Sequence, residues 1–383
     1  MHGFDGASST NPNAICLHKI LNHASVLKAA EVITTTSEER RKEKVEGIFT
    51  HYIPINRGND GRLDFRQWRR EVEHYVAEEI SFNKFTHLLT ISFPFDIQML
   101  GLALKKKHPS LRWFIYELDP YAYNRVLRWR RSLFPYRLIR EMLTFSHSDK
   151  IFLTHELYKQ YSQTVMSRYD ERYVEIGIPA LKISPSKVKV QSDNDYIDLI
   201  YAGSFYKKIR QPGFMFKVFK CLVDRGVKVR LHIYGSTDSV VPEECAEMLG
   251  SCLFVYGRVA PSVVSQVIAE HNVLVSVGNS VENQLPSKVL EYIGTGKPII
   301  HFYSITNDPA KRYLADYPNC IIVQENHERI DKTADDIHGF LKTNANVILS
   351  ASKLEEMYAD HTIEAVVARI ELELKESFHC GGH

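Results

Sequence analysis

Short apolar runs alternate along the chain with longer segments in which apolar positions recur every three or four residues. The short runs, bounded by Gly, Pro or polar residues, predict buried strands, and the segments with a 3.6-residue period predict helices. The first periodic segment, 14–30, is an amphipathic helix, and strands and helices then follow one another. Such alternation predicts a mostly parallel sheet covered by helices on both faces.

The pattern predicts twelve strands, at 32–36, 47–55, 87–93, 113–118, 151–154, 173–176, 198–202, 229–234, 253–256, 273–277, from 298 onward, and 320–323. Further helices are predicted at 64–80, 94–107, 126–143, 155–167, 212–224, 242–249, 261–270, from 286 for two turns, 331–349 and 354–374. The predicted elements fall into two α/β halves, because residues 179–196 carry prolines, serines and lysines with little periodicity.

Two domains are therefore predicted, 1–178 and 197–353, with 179–196 as the linker and 354–383 as a C-terminal segment. An open α/β domain normally begins with a strand that feeds a glycine-bearing loop. Here residues 1–13 are rich in Gly, Ser and Asn and precede a helix. We therefore expect that the first strand of the N-terminal domain lies upstream of Met1 or has been lost.

Composition sets broad limits. A chain of 383 residues, 44% apolar and 25% charged, suits two folded domains and excludes a disordered protein. The net charge of +2 argues against a dedicated nucleic-acid binder. Six cysteines without zinc-site spacing indicate reduced thiols of a cytoplasmic protein. No apolar run approaches the roughly 20 residues that span a bilayer, so we expect a soluble or peripheral membrane protein.

The stretch 278–300 carries the most informative chemistry. Pro286 is predicted at the first helical position, which leaves the N–H groups of Ser287 and Lys288 at a helix N-terminus, where an anion is favoured. Lys288 adds a full charge, and Glu291 lies one turn deeper. This arrangement suits a phosphate joined to a polyhydroxylated ring. The alternative is an ordinary strand–loop–helix crossover.

A second cationic loop follows the strand at 198–202. Gly203 allows close approach of a ligand to the backbone, and Ser204 comes directly after it. Lys208 and Arg210 then precede the helix that starts at Pro212, and a guanidinium binds a diphosphate well. The alternative is a set of solvated cations on a loop.

The 278–300 stretch resembles the donor-binding signature of retaining, family-4-type glycosyltransferases, especially those of bacterial surface-polysaccharide synthesis. The resemblance implies the GT-B fold, in which two Rossmann-like domains face a cleft and the last helix, here within 354–383, crosses back to the first domain. Family members carry two glutamates separated by seven residues. Glu291 matches the second, which binds the ribose, and Asn283 stands at the first, so hydrogen bonding to the sugar remains but the charge is lost.

The resemblance extends to other loops. Family members hold the diphosphate with a Gly-Arg pair and a Lys six residues later; Ser204 stands at the Arg position and Arg210 at the Lys position. Gly257 and Arg258 match the loop that reads the base. Asp119, after a central strand of the first domain, matches an acceptor-contacting position, although Asp-Pro is also a common turn. The implied catalytic set is Asp119, Asn283 and Glu291.

The function implied is a metal-independent, retaining hexosyltransferase. It would move a sugar from a UDP- or GDP-sugar to a saccharide or lipid-linked acceptor, in polysaccharide or glycoconjugate synthesis, without a cofactor. Fixed cations would replace Mg²⁺ in stabilising the leaving diphosphate. Asp193-Asn194-Asp195, a formal match to a metal-binding motif, is interpreted as a solvated turn. The alternatives are a catalytically weak, glycosyltransferase-like binding subunit and a nucleotide-sugar epimerase of the same fold.

Residues 121–140 contain six arginines, no acid, and interspersed aromatic residues. Basic helices with aromatic residues bind the headgroups of an anionic membrane. Residues 121–140 would then place the protein on the inner face of the membrane. The alternative is a solvated basic helix whose aromatic residues pack inward. Nucleic acid is not predicted as a partner.

Overall fold

The structure is a computed structural model that describes residues 12–24, 31–34, 49–53, 64–80, 84–91, 94–124, 132–185, 196–207, 209–237 and 241–379. Contacts divide the chain into two compact units. The first unit combines the residues up to Pro179 with those from Ile363 onward, and the second comprises Ala180–Thr362.

The first unit contains parallel strands and the helices that cover them. Its elements are α1 (Pro12–His23), β1 (Glu31–Thr34), β2 (Phe49–Tyr52), α2 (Phe65–Glu79), β3 (His87–Ile91), α3 (Asp96–Lys107), β4 (Arg112–Glu117), α4 (Phe134–His147), β5 (Lys150–Leu153), α5 (His155–Ser162), a 3₁₀ helix (Val165–Arg172), β6 (Tyr173–Glu175) and α12 (Ile363–His379). β1 pairs with β2, and a four-stranded sheet has the order β3-β4-β5-β6.

Two cores cover the two faces of the four-stranded sheet. Successive side chains of a strand point to opposite faces. Trp113 and Ile115 of β4 therefore join the core beneath α2 and α3, whereas Phe114 and Tyr116 join the core with α1 and α12. Ile370 of α12 is fully buried in this second core.

The second unit is a six-stranded parallel sheet. Its elements are β7 (Ile197–Ala202), α6 (Gly213–Asp224), β8 (Val229–Tyr234), a 3₁₀ helix (Glu243–Met248), β9 (Leu253–Gly257), α7 (Pro261–Glu270), β10 (Val273–Val277), α8 (Lys288–Gly294), β11 (Ile299–Tyr303), α9 (Ala310–Leu314), β12 (Cys320–Gln324), a 3₁₀ turn (His327–Arg329), α10 (Ile330–Asn344), α11 (Ala351–Tyr358) and a 3₁₀ turn (Ala359–His361). The strand order is β12-β11-β10-β7-β8-β9. This is the order of a doubly wound Rossmann sheet.

Several helix predictions were wrong in detail. The helix predicted at 126–143 is α4, which begins at Phe134 with Pro135 in its first turn and continues to His147. Residues 125–131 lie outside the described residues. The helix predicted at 242–249 is a 3₁₀ helix. The helix predicted at 354–374 is interrupted, because the 3₁₀ turn and the extended Thr362 separate α11 from α12.

The unit boundaries also differ from the predicted domains. Residues 354–362 belong to the second unit, where the Tyr358 hydroxyl donates to the Tyr313 carbonyl at 2.7 Å. The described part of the predicted linker, 180–185, also belongs there, and Leu181 forms a parallel bridge with Thr362. Residues 1–11 and 186–195 lie outside the described residues. The structure therefore does not test the prediction about a strand before α1 or the interpretation of Asp193–Asp195.

A buried lysine closes the end of α7. Lys297 is 1% exposed, and its Nζ donates to the carbonyls of Ile268 (2.9 Å), Ala269 (2.5 Å) and His271 (2.6 Å). The last carbonyls of a helix have no partner within the helix, and a cation is favoured at that end. Lys297 therefore supplies the missing hydrogen-bond donors at the end of α7, where the chain leads into β10.

We expect Lys297→Met to lower the free energy of unfolding by about 2–4 kcal/mol, because buried carbonyls would lose their donors. Urea unfolding of the full chain measures the change. Lys342→Met, on an exposed position of α10, is the matched control and should change stability by less than about 0.5 kcal/mol. Equal effects of the two substitutions would contradict the capping role.

Candidate functional site

The site predicted from the sequence lies where the strand order of the second unit reverses. β7 and β10 are parallel neighbours, with Leu199 opposite Val273. From β7 the chain proceeds to β8 and β9 on one side, and from β10 to β11 and β12 on the other. Loops 203–212 and 278–287, here called the β7 loop and the β10 loop, leave the same edge of the sheet. In open α/β sheets, ligands bind at such a switch point.

Close backbone packing holds this edge of the sheet. Gly203 N donates to the carbonyl of Tyr234 at 2.8 Å, and Gly235 N donates to the carbonyl of Gly257 at 2.7 Å. Gly235 has φ +146°, and a Cβ there would lie 2.0 Å from the Gly203 carbonyl oxygen. Only glycine fits at that position. The ends of β7, β8 and β9 are therefore joined by their main chains.

Arg210 connects the two loops. Its Nε donates to Asn279 Oδ1 at 3.0 Å, its Nη1 donates to the Ser204 carbonyl at 3.3 Å, and its guanidinium lies 5.8 Å from the Tyr206 ring centroid. Asn279 is 4% exposed and donates to the Gln284 carbonyl at 2.8 Å. The guanidinium of Arg210 is thus held at the switch point by groups from both loops.

The main chains of the loops also meet, because Ser280 N donates to the Ile209 carbonyl at 2.7 Å. Asn279 was missed by the sequence analysis. Its signal was modest: a polar residue that directly follows the glycine after a buried strand. Asn283, on the same loop, is buried at 5% exposure. Lys208 lies outside the described residues.

The start of α8 differs from the prediction. Pro286 precedes the helix, Ser287 is the N-cap residue without a side-chain cap, and the seven-residue helix begins at Lys288. Lys288 Nζ forms an ion pair with Glu291 Oε2, and both side chains are about one-third exposed. The predicted anion cradle is therefore occupied by an internal cation–carboxylate contact. A partly exposed pair of this kind contributes about 0–1 kcal/mol, so a phosphate can replace it at little cost.

Tyr292 links α8 to the end of β7. Its hydroxyl accepts a hydrogen bond from Ala202 N at 2.9 Å. Burial raises the pKa of Tyr292; nearby Glu291 raises that pKa further, and Arg210 opposes the rise. Arg210 and Glu291 are therefore both within electrostatic reach of a single phenol at the switch point.

Three further predicted donor-binding positions, Ser204, Gly257 and Arg258, lie at the ends of β7 and β9. The Ser204 hydroxyl accepts a hydrogen bond from Ser236 N at 3.2 Å, which ties the β7 loop to the segment after β8. Gly257 ends β9 with φ +72°, and Arg258 beyond it is exposed. Gly257 therefore shapes the turn that presents Arg258 to solvent.

A cavity of about 170 Å³ opens beside these loops at the ends of β10 and β11. Ile209, Gln211, Gly278 and Ser280 line it, together with Tyr303. Sites that enclose a drug-sized ligand measure roughly 300–1,000 Å³, so this cavity can hold only part of such a ligand.

In the first unit, two acids lie at the carboxyl end of β4, one as its last residue and one beyond it, and they have different surroundings. Asp119 is half-buried, two residues beyond the end of β4. Glu117 is 3% exposed and accepts a hydrogen bond from Gln98 Nε2 at 3.2 Å. Burial, followed by the charges of Glu141 and Asp119, raises the pKa of Glu117 well above its ordinary value. The surroundings of Glu117 therefore favour the neutral form of its carboxyl group.

Glu141 holds the turn that follows Asp119. Its carboxylate accepts hydrogen bonds from the N–H groups of Tyr121 (3.0 Å) and Ala122 (3.2 Å) and from the Tyr161 hydroxyl (2.6 Å). The backbone two and three residues after Asp119 is thus held by a buried side chain of α4.

Two properties of the described residues bear on other functions. Within these ranges, no three His, Cys, Asp or Glu side chains form a group suited to a metal ion. None of the described helices is both long enough and apolar enough to span a bilayer.

No family model and no curated protein matches the sequence. The fold resembles sucrose-phosphate synthase from Thermosynechococcus elongatus, with TM-score 0.66, 13% identity and 99% of both chains covered. It also resembles a glycosyltransferase from Rickettsia africae, with TM-score 0.64, 11% identity and 97% and 96% coverage of this chain and that one. A third match is a UDP-N-acetylglucosamine 2-epimerase, with TM-score 0.58, 13% identity and 99% and 96% coverage.

These similarities extend over nearly the whole chain, and at such identities they show the fold alone. The fold is that of the GT-B enzymes, an α/β architecture with two Rossmann-like domains, which confirms the predicted fold class.

We expect Glu117→Gln to gain stability relative to the wild type as pH rises. The pKa of Glu117 is higher in the native state than the value of about 4.3 expected in the unfolded chain. Above about pH 4.3 the native state therefore binds more protons than the unfolded state. The stability that the Glu117 carboxyl contributes is consequently lost as pH rises. Glutamine keeps an acceptor for Gln98 and does not ionise. Urea unfolding between about pH 5 and about pH 8 measures the difference in free energy.

Glu356→Gln, at an exposed position of α11, is the control, and its difference from the wild type should stay nearly constant over the same range. A constant difference for Glu117→Gln as well would show that this carboxyl is ionised in the native core.

Proposed function

We propose that the protein is a glycosyltransferase that takes a sugar from a nucleotide-diphosphate sugar. The observation that carries the proposal is the link from Arg210 to Asn279, which ties a guanidinium to the loop that leads into α8 and its Lys288–Glu291 pair. The Arg210–Asn279 hydrogen bond and the Lys288–Glu291 ion pair are on the segments that follow β7 and β10, the position at which Rossmann-like sheets bind ligands.

The donor diphosphate would lie between the β7 and β10 loops. Arg210 offers a guanidinium already held in place, and Lys288 can exchange Glu291 for a phosphate oxygen. Glu291 is then released to accept hydrogen bonds from ribose hydroxyls, while Asn283 contacts the transferred sugar. Lys208, Gly203, Ser204 and Ser287 complete the proposed phosphate site, and Gly257 with Arg258 forms the proposed base-contacting turn.

Sugar transfer by this site would require no metal. Cleavage of the bond between sugar and diphosphate develops negative charge on the leaving oxygen, and fixed cations stabilise that charge in proportion to how well they are positioned. Retention would follow from attack by the acceptor on the face from which the diphosphate departs. No enzyme nucleophile is required, and the leaving diphosphate can accept the acceptor's proton.

The acceptor is proposed to bind the first unit near Asp119, and to be a saccharide or a lipid-linked molecule. The transferred group would be a hexose, in polysaccharide or glycoconjugate synthesis. A cytoplasmic location is proposed because Cys16, Cys221, Cys245, Cys252 and Cys320 all carry free thiols, as in a reducing compartment.

Two alternatives have specific motivations. An epimerase acting on a nucleotide-sugar is motivated by the structural similarity to a UDP-N-acetylglucosamine 2-epimerase. A binding subunit with weak activity is motivated by Asn283 and Ser204, which lack the charges of the family-4 motif. The transferase is preferred because the site concentrates cations for a leaving group.

We expect Arg210→Ala and Lys288→Ala each to weaken UDP or GDP binding about tenfold to a hundredfold, because a hydrogen bond to a charged group contributes about 1.5–3 kcal/mol. Isothermal titration calorimetry of the full chain measures the dissociation constant. Lys353→Ala removes another i,i+3 ion pair, with Glu356, and serves as the matched control. Wild-type affinity in Lys288→Ala would remove Lys288 from the donor site.

We also expect nucleotide release from candidate UDP- and GDP-sugars to proceed at the same rate with and without EDTA. The measurement is a coupled assay of free nucleotide in the presence of saccharide acceptors. Activity abolished by EDTA would contradict the metal-independent mechanism. An epimerase would change the donor without releasing nucleotide, and a binding subunit would bind nucleotide with neither reaction.

A further inference from the structure

Helix α4 buries charged side chains on the side that faces the core and exposes apolar ones on the opposite side. Arg137 is 7% exposed and Glu141 is fully buried, beside the fully buried Phe145. Tyr136, Ile139 and Leu143, which follow one another at helical spacing, are 50%, 65% and 36% exposed. An ordinary surface helix exposes its polar residues instead. Among the described residues of α4, the exposed positions are thus mainly apolar.

The inward side of α4 is satisfied by specific partners. Arg140 Nη1 donates to the Tyr121 hydroxyl at 3.1 Å, and its guanidinium lies 5.2 Å from the Phe95 ring centroid. It also faces Asp96 at 3.8 Å. Glu141 accepts three hydrogen bonds, as described above. The inward charges are therefore stabilised by their contacts and need no solvent.

Four exposed apolar residues lie along one side of α4. Leu133, 40% exposed, precedes Tyr136 by three residues and so continues the row of Tyr136, Ile139 and Leu143. Phe134, 36% exposed, stands at the helix start outside this row, where its ring packs edge-on against Tyr123. We call these five residues the α4 face. They are five of the fourteen large apolar side chains exposed in the part of the chain that the structure describes. Single exposed apolar residues are common, but a contiguous patch marks an interaction surface.

The neighbouring sequence identifies the kind of partner. Arg125, Arg128, Arg130 and Arg131 precede the α4 face, and residues 121–140 contain no acid. In the sequence, Arg130 and Arg131 stand four and three residues before Phe134. An apolar helix face beside clustered arginines is complementary to an anionic bilayer, where acyl chains take the apolar side chains and headgroups take the charges.

We propose that the α4 face is the membrane-docking surface of this protein, and that its occupant is an anionic phospholipid bilayer. The inserted groups are the apolar side chains of α4. Arg137 and Arg140 do not bind headgroups, because they are turned into the first unit. The proposal goes beyond the transfer reaction and does not depend on it; if that reaction is correct, docking would favour the lipid-linked class of acceptor.

The test is co-sedimentation of the full chain with vesicles of phosphatidylglycerol and phosphatidylcholine. Ile139→Gln/Leu143→Gln should lower the vesicle partition constant by about tenfold or more, because two aliphatic side chains no longer leave water. The control is Val347→Gln/Leu372→Gln, which changes two apolar residues of comparable exposure elsewhere, and it should bind as the wild type does. Thermal melts of both variants establish that each is folded.

Charge is tested separately. We expect weaker binding to anionic vesicles for the variant Arg128→Glu/Arg130→Glu/Arg131→Glu, in which the α4 face is unchanged. We also expect the wild type to bind more weakly to vesicles of phosphatidylcholine alone. Wild-type binding by the Ile139/Leu143 variant would overturn the proposal, as would equal binding to neutral and anionic vesicles. A wild-type dimer in sedimentation velocity that the variant dissociates would instead assign the face to a second copy of the chain.

Nucleotide affinity of the same variants, measured by calorimetry, should not change. Loss of vesicle binding and loss of donor binding are therefore independent results, so either proposal can fail without the other.

Discussion

The parallel pairing of β7 with β10 is the constraint on which the candidate site depends. These strands are about seventy residues apart in the chain, yet Leu199 and Val273 are direct neighbours in the sheet. Because both strands run in the same direction, the two loops that follow them leave the same edge of the sheet. The chain continues from β7 and from β10 towards opposite ends of the sheet, so a crevice remains between the two loops. Arg210 spans that crevice to Asn279, so the position of the cation follows from the strand order.

Much of this arrangement could be predicted from the sequence, for physical reasons. A strand buried on both faces needs a nearly continuous apolar run, and β10 has one with the predicted bounds, 273–277. The strand β8 alternates buried and partly buried residues and also has its predicted bounds, 229–234. The Arg210–Asn279 hydrogen bond could not be predicted, because it joins residues 69 positions apart through polar side chains that carry no periodic signal. The start of α8 was also wrong: a proline suits the first turn of a helix but also the loop before it, and Lys288 is the first helical residue.

Helix α4 shows where composition misleads. Its arginines suggest a charged outer side, and aromatic residues in such a segment are expected to pack inward. The structure instead buries charged side chains of α4, because the turn after β4 offers backbone N–H groups, a phenol and aromatic faces to Glu141 and Arg140. Charged side chains can be buried when such partners exist, and the sequence of the helix alone does not contain them. Phe134 and Tyr136, by contrast, are exposed.

The return of α12 to the first unit has a consequence for synthesis on the ribosome. Ile20 of α1 and Phe114 and Phe152 of the sheet share a core with Ile363, Val366 and Ile370, which are made after the whole second unit. The second unit thus has all of its residues while one wall of the first is still missing. Until the last helix emerges, the nascent first unit must expose an apolar sheet face, the kind of surface that aggregates or recruits chaperones.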